Sequence, residues 1–242
     1  MQTSELETET ISERIGALPW EDLHEQLDER GFATTPAVLD AEECERLVAL
    51  WGEAEFRSRI DMARHGFGEG EYRYFANPLP PSVDELRRSF YPRLATAANR
   101  WADRLGQDER YPAELDGLLE RCHSVGQVRP TPLILRYEAG GYNALHQDLY
   151  GELAFPFQVV TVLSHRELDY DGGELVVVEQ RPRRQSRAHV IALERGEFLI
   201  FTTRERPVAG SRGYYRAAMR HGVSTVTAGV RLSLGLIFHE AK

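Results

Sequence analysis

Four residues have the types and spacing to do chemistry. In the stretch YNALHQDLY, residues 142–150, His146 and Asp148 stand two apart between aromatic and aliphatic neighbours. A strand repeats every two residues, so both side chains leave the same face, as two cis ligands of one metal must. A third ligand has to come from a distant strand folded back beside them. His221 suits that part: it opens the expected strand HGVSTV, and ten residues later Arg231 opens the last strand, RLSLGLIFH. There Leu232, Leu234, Leu236 and Phe238 share one face, and Arg231, Ser233 and Gly235 the other. The arginine thus points away from the leucine side, toward a barrel interior, where a guanidinium needs either a bound anion or a glutamate of the protein.

Two histidines and one carboxylate make a facial triad that leaves three positions open for a cosubstrate and O₂, which suits non-haem Fe(II). Zinc favours a tetrahedral site with one open position. His165-Arg166-Glu167 repeats the ligand spacing, but it opens HRELDYDGG, which reads as a turn between strands. A turn without packing is a poor frame for a rigid triad.

The elements that must position these residues divide the chain. In DAEECERLVALWGEAEF, Asp40 caps a helix with Glu43 three residues on, and Leu47, Val48, Leu50 and Trp51 form its apolar side. A second helix is expected from Ser82 to Leu105, with Leu86, Phe90, Leu94, Ala97 and Trp101 at helical spacing. RHGFGEGEYRYF, between them, has no helical period and reads as a loop or irregular hairpin. From Thr131 onward, short runs rich in Val, Ile, Leu and Phe are separated by turn signals such as AGG, DGG and TAGV, the pattern of a sandwich or barrel of about eight strands. The expected organisation is a helical region over residues 1–127, carrying a substrate-side loop and packed on a β core over residues 128–242.

Composition sets the context. The 242 residues are 42% hydrophobic, enough for one sizeable core. No apolar run reaches the length of about 18 residues that suggests a membrane span, and the N-terminus is acidic, unlike a signal peptide. A soluble cytoplasmic protein without a membrane partner is expected. Cys44 and Cys122 have no metal-type spacing and read as buried thiols. Residues 1–127 hold 26 acidic and 14 basic side chains, residues 128–242 hold 12 and 15. The positive charge is concentrated in RPRRQSR, residues 181–187, and in residues 204–220, which suggests either an anionic ligand or a solvated basic loop.

At these motifs the chain resembles the Fe(II)/2-oxoglutarate-dependent dioxygenases. The resemblance implies a mainly β fold, a double-stranded β-helix of the jelly-roll, cupin-like kind with N-terminal helices. It also implies that His146, Asp148 and His221 are the metal ligands and act in catalysis, that Arg231 pairs with the far carboxylate of 2-oxoglutarate, and that Ser233 or Tyr137 adds a hydrogen bond. RYEAGGYNALHQD is similar to the prolyl-hydroxylase-like branch, in which a tyrosine nine residues before the first histidine, here Tyr137, lies near the cosubstrate. MARHGFGEGEYRYF, GQVRPTPLILRY, DGGELVVVEQRPRRQSR and RGYYRAAMRHGVS resemble a small bacterial oxygenase family associated with oxidative demethylation of damaged nucleic acid.

The cofactors so implied are Fe(II), 2-oxoglutarate and O₂, with ascorbate assisting, and the chemistry is hydroxylation of a C–H bond. A hydroxylated N-methyl group would collapse to formaldehyde and free base. Arg183, Arg184, Arg187, Arg212, Arg216 and Arg220 offer a cationic rim for single-stranded or damaged nucleic acid, and Tyr72, Tyr74, Phe75, Tyr214 and Tyr215 offer stacking faces, although such aromatics also serve as core or lid. AlkB-type dealkylases end in Arg-x-Asn-x-Thr-x-Arg. Here only the first arginine is matched, by Arg231, and Ile237 stands at the second. A hydroxylase of a peptidyl residue, amino acid or small metabolite is the alternative enzyme reading, and a non-catalytic cupin-like binding or sensor module is the alternative of another class.

Overall fold

The computed structural model describes residues 9–148 and 151–242. Residues 1–8 of the acidic N-terminus, and Leu149 and Tyr150 just after the histidine-aspartate pair, lie outside the described residues. In chain order the helices are α1 (Ile11–Gly16), α2 (Trp20–Arg30), α3 (Ala41–Glu53), α4 (Pro81–Arg104) and α5 (Leu115–Ser124). Four short strands lie among them: β1 (Phe32–Thr34), β2 (Phe56–Asp61), β3 (Gly68–Glu69) and β4 (Glu71–Phe75). Ten more follow: β5 (Leu133–Glu138), β6 (Tyr142–His146), β7 (Phe157–Val162), β8 (Tyr170–Gly172), β9 (Leu175–Gln180), β10 (Arg187–Ile191), β11 (Phe198–Thr202), β12 (Glu205–Gly210), β13 (Gly213–Val223) and β14 (Val226–Ile237).

Local chemistry explains the two helices foreseen. Asp40 accepts from Glu43 N–H at 2.8 Å while the Glu43 carboxylate accepts from Asp40 N–H at 2.9 Å, a closed capping box that starts α3. Pro81 sits at the start of α4, where its missing N–H costs nothing. Leu86, Phe90, Leu94, Ala97 and Trp101 are its buried face, as their spacing foretold.

The strands form two antiparallel sheets. The larger has the order β1-β11-β7-β14-β5-β4-β2, with β8 added beside the start of β14; the smaller has the order β10-β9-β13-β6-β3, with β12 beside β13. Every sheet residue must choose one of two faces. On the larger sheet, Phe157, Val159, Phe198, Ile200, Leu234, Leu236 and Phe238 join one core with Leu23, Phe90, Leu94 and Trp101 of the helices. The alternate positions Val160, Val162, Leu199 and Phe201 join Leu175, Val177, Met219 and Val223 of the smaller sheet in a second core between the sheets. Burial on both faces is why β7 and β11 read as mostly apolar runs rather than as alternating ones.

The sequence expectations need four corrections. The stretch before residue 128 is not purely helical, since it supplies β1, β2, β3 and β4 to the two sheets. These strands have two to six residues, too few to show a period. RHGFGEGEYRYF is neither loop nor hairpin: Gly68 pairs with Asn143 in the smaller sheet, whereas Glu71–Phe75 pairs with β2 and β5 in the larger, so the segment crosses from one sheet to the other. His221 stands near the end of a strand that begins at Gly213. Exposed Arg216 and Arg220 on the solvent face, alternating with buried Ala217 and Met219, made that strand look like a basic loop. Finally, HRELDYDGG contains a strand of its own, β8, paired with β14. Cys44 and Cys122 are buried and free. No helix among the described residues is long and apolar enough to cross a membrane.

Candidate metal centre and cosubstrate cavity

The space between the sheets opens into a cavity of about 590 Å³. Its floor comes from the larger sheet: Gln158 and Val160 of β7, Arg231, Ser233, Gly235 and Ile237 of β14, Leu133, Leu135 and Tyr137 of β5, and Tyr72 and Tyr74 of β4. Its roof comes from the smaller: His221 and Val223 of β13, Leu175 of β9, and Asn143 and His146 of β6.

The triad assembles because β6 and β13 are neighbours in antiparallel register, with His146 paired directly to His221. Their rings stand 4.2 Å apart between centroids. Asp148, two residues past the end of β6, brings Oδ1 to 3.5 Å from His146 Nε2 and Oδ2 to 3.2 Å from His221 Nε2. One ligand atom from each of the three lies within 4.8 Å of the others, the grouping a metal ion requires. His146 Nδ1 donates to the Ala144 carbonyl at 2.8 Å, which leaves the Nε2 lone pair on the side of Asp148.

The electrostatics agree. Burial would raise the Asp148 carboxyl, but the two imidazoles beside it hold it well below its ordinary range, so it is an anion at neutral pH. Burial lowers the affinity of His221 for a proton, partly opposed by the Asp148 carboxylate. At His146 the effect of burial is outweighed by the hydrogen bond and charge of Asp148, and its affinity rises.

Arg231 lies on the cavity floor, 1% exposed. Its Nη1 donates to Ser233 Oγ at 3.0 Å, while Nε and Nη2 are buried without a hydrogen-bond acceptor among the described residues. No glutamate closes an ion pair on it there, so the internal salt bridge is not formed. Tyr137 and Tyr170 present ring faces at 5.7 and 5.9 Å from the guanidinium carbon. Burial lowers the Arg231 pKa and raises that of Tyr137. A buried cation with spare donors is costly unless an anion completes it.

The remaining sequence candidates separate. Tyr72 and Tyr74 line the cavity edge-to-face, 5.4 Å apart, with the Arg57 guanidinium 4.2 Å over the Tyr74 ring. Phe75 is fully buried against Phe56 and offers no face for stacking. Arg183 and Arg184 lie in the β9–β10 turn and Arg187 opens β10; all three are exposed and outside the cavity lining. Arg216 is on the solvent face of β13, paired with Glu205 at 2.8 Å. Arg212 and Arg220 are exposed as well. Tyr214 is exposed beneath Arg104 at 5.4 Å, outside the cavity lining with Tyr215. His165 and Glu167 are exposed and do not line the cavity. Gln158 and Asn143 went unnoticed in the sequence. An amide inside the otherwise apolar run FQVVTV was the available signal for the first.

Two antiparallel sheets around a partly buried His-Asp-His triad give the chain the fold of a class, the double-stranded β-helix oxygenases of the 2OG-Fe(II) kind. Solved structures share the fold. An oxidoreductase of the 2OG-Fe(II) oxygenase family from Burkholderia pseudomallei superposes with a TM-score of 0.54 at 22% identity, covering 89% of this chain and 88% of that one. A prolyl-4-hydroxylase from Pseudomonas putida gives 0.52 at 16% identity, covering 91% and 99%. Within the class, residues 70–241 match the sequence model of a family described as an oxygenase catalysing oxidative methylation of damaged DNA. The chain belongs to that family. An uncharacterized protein of Mycobacterium tuberculosis strain H37Rv is 49% identical over 167 residues, covering 69% of this chain and 72% of the relative.

Proposed function

We propose that this oxygenase binds Fe(II) through His146, Asp148 and His221, binds 2-oxoglutarate through Arg231, and hydroxylates a C–H bond of a substrate presented at the Tyr72–Tyr74 side of the cavity. The carrying observation is one cavity that holds both the triad and a buried guanidinium with two unused donors. The donor set fits a ferrous ion, and the spare N–H groups fit a carboxylate. When bound, iron and 2-oxoglutarate supply the coupled oxidative decarboxylation that transfers one oxygen atom of O₂ to the substrate. The protein's residues do the rest. Asp148 orients both imidazoles, the Ala144 carbonyl fixes the His146 tautomer, Ser233 steadies Arg231, and the apolar walls Leu135, Val160 and Leu175 keep bulk water out.

For the substrate we favour alkylated single-stranded nucleic acid, oxidised at an N-methyl group. The family's description and the exposed arginines Arg183, Arg184, Arg187, Arg212 and Arg220 support this reading. Lining the cavity, Arg231 is the one cation among the described residues. Phosphate contacts therefore belong outside it, with only the base entering at the Tyr72–Tyr74 side. The same apolar lining, with Ile237 at the second-arginine position, supports the alternative, hydroxylation of a peptidyl residue or small metabolite. Purified protein incubated with Fe(II), ascorbate and labelled 2-oxoglutarate should release labelled CO₂, and a panel of methylated oligonucleotides, peptides and amino acids should single out a stimulating substrate. Absence of decarboxylation with every member refutes the enzyme reading. Oligonucleotide binding should weaken with salt, its log–log slope falling by about 0.7 for each lost phosphate contact. Changing Arg183, Arg184 and Arg187 to glutamine should flatten that slope and leave substrate-free decarboxylation intact.

A further inference from the structure

Gln158 is a polar side chain in a place that disfavours one. It is on the interior face of β7, 4% exposed, with apolar Phe201 and Ile237 as its cross-strand neighbours. Its Nε2 lies 3.0 Å from His221 Nε2, the ring nitrogen that also faces Asp148. An amide N–H at that distance donates to the imidazole lone pair. On the Nε2 side the ring's other polar neighbour is Asp148 Oδ2, at 3.2 Å. His221 Nδ1 is buried without a hydrogen-bond partner among the described residues, in contrast to His146, whose Nδ1 has the Ala144 carbonyl.

A metal on His221 must take the same lone pair. The Gln158 donor then loses its acceptor while still buried, and an unsatisfied buried donor is costly. A carboxylate or keto oxygen of a cosubstrate held beside His221 would supply a new acceptor. We propose that Gln158 is a positioning residue of the metal site, whose amide N–H beside His221 would be offered to the cosubstrate's chelating end and so orient it. This rests on the Fe(II)/2-oxoglutarate reading. It is separate from the Arg231 anchor, because Gln158 is in register with Ile237, and Gly235 and Ser233 stand between that position and Arg231 along β14.

The test compares wild type with Gln158→Leu and Gln158→Glu under anaerobic conditions, away from turnover. Binding of Fe(II) alone and then of 2-oxoglutarate is measured by calorimetry, and the charge-transfer absorption of the Fe(II)·2-oxoglutarate complex is recorded. Gln158→Leu should bind Fe(II) at least as tightly as wild type, since a competitor for the lone pair is gone. It should bind 2-oxoglutarate about tenfold more weakly and shift the charge-transfer band, corresponding to about 1.4 kcal/mol for one lost hydrogen bond. Gln158→Glu places an anion beside the chelate and should weaken 2-oxoglutarate further. Unchanged 2-oxoglutarate affinity and an unchanged band in folded Gln158→Leu, with wild type binding normally, overturn the role of Gln158 and leave the cofactor reading standing. A wild type that binds neither Fe(II) nor 2-oxoglutarate overturns both. Should the leucine variant not fold, Gln158→Met, close to glutamine in length and without the donor, replaces it under the same criteria.

Discussion

Replacing Arg231 by methionine should move stability and ligand binding independently, because the guanidinium is an incomplete structural group. Among the described residues it donates to Ser233 at 3.0 Å and keeps Nε and Nη2 buried without an acceptor. Each buried unsatisfied donor costs on the order of 1–3 kcal/mol. Methionine keeps the apolar stem's packing and removes that cost, so the lost Ser233 bond, about 1 kcal/mol, is offset. The ligand-free melting temperature should therefore stay within a few degrees of wild type or rise. Ligand stabilisation should behave differently. With Mn(II) in place of iron, 2-oxoglutarate at a hundred times its Kd adds about 2.7 kcal/mol to wild type, or about 5–10 °C for a chain of this size. Arg231→Met should lose nearly all of that increment. Differential scanning calorimetry with Mn(II), with and without 2-oxoglutarate, reads both quantities. A full 2-oxoglutarate shift in the variant refutes the anchor, and a ligand-free protein melting more than about 8 °C below wild type shows that the guanidinium is structurally complete.

Arg231→Lys keeps the charge but loses the two-pronged geometry, so 2-oxoglutarate affinity measured by calorimetry should fall about tenfold; an unchanged value assigns the anchor elsewhere. Asp148→Ala removes the group that bridges both imidazoles and should abolish Fe(II) binding and turnover while far-ultraviolet circular dichroism is preserved; full activity would dissolve the triad. Gly173 has φ of +63°, and a Cβ there would meet Arg231 Cδ and Val226 Cγ2 at 2.8 Å. Gly173→Ala should lower stability by about 1 kcal/mol or more and weaken 2-oxoglutarate binding through the displaced arginine, and normal affinity would separate this turn from the anchor. Asp40→Ala opens the capping box of α3, far from the cavity, and should cost about 1 kcal/mol in chemical denaturation with kcat unaltered.

The sequence by itself determined the local devices and the identity of the chemical groups. The Asp40–Glu43 cap, the buried stripe of α4 and the two faces of RLSLGLIFH follow from interactions within a few residues, so type and spacing suffice to read them. His146, Asp148 and His221 could be singled out as candidates for one cluster, and Arg231 as an inward-facing cation, because metal and carboxylate chemistry accepts few residue types and a strand has a period of two. Tertiary structure decided what depends on partners distant in the chain. Only the pairing of β6 with β13 brings His146 opposite His221, and only the stacking of the sheets makes Gln158 a neighbour of that ring. The crossover of Gly68–Phe75 between sheets left no periodic trace because its strands are too short. The arginines of β13 masked a strand whose inward face is apolar, since exposure is a property of the assembled sheet. Local patterns are written in neighbouring residues, whereas burial and register arise when segments far apart in the chain compete for one core.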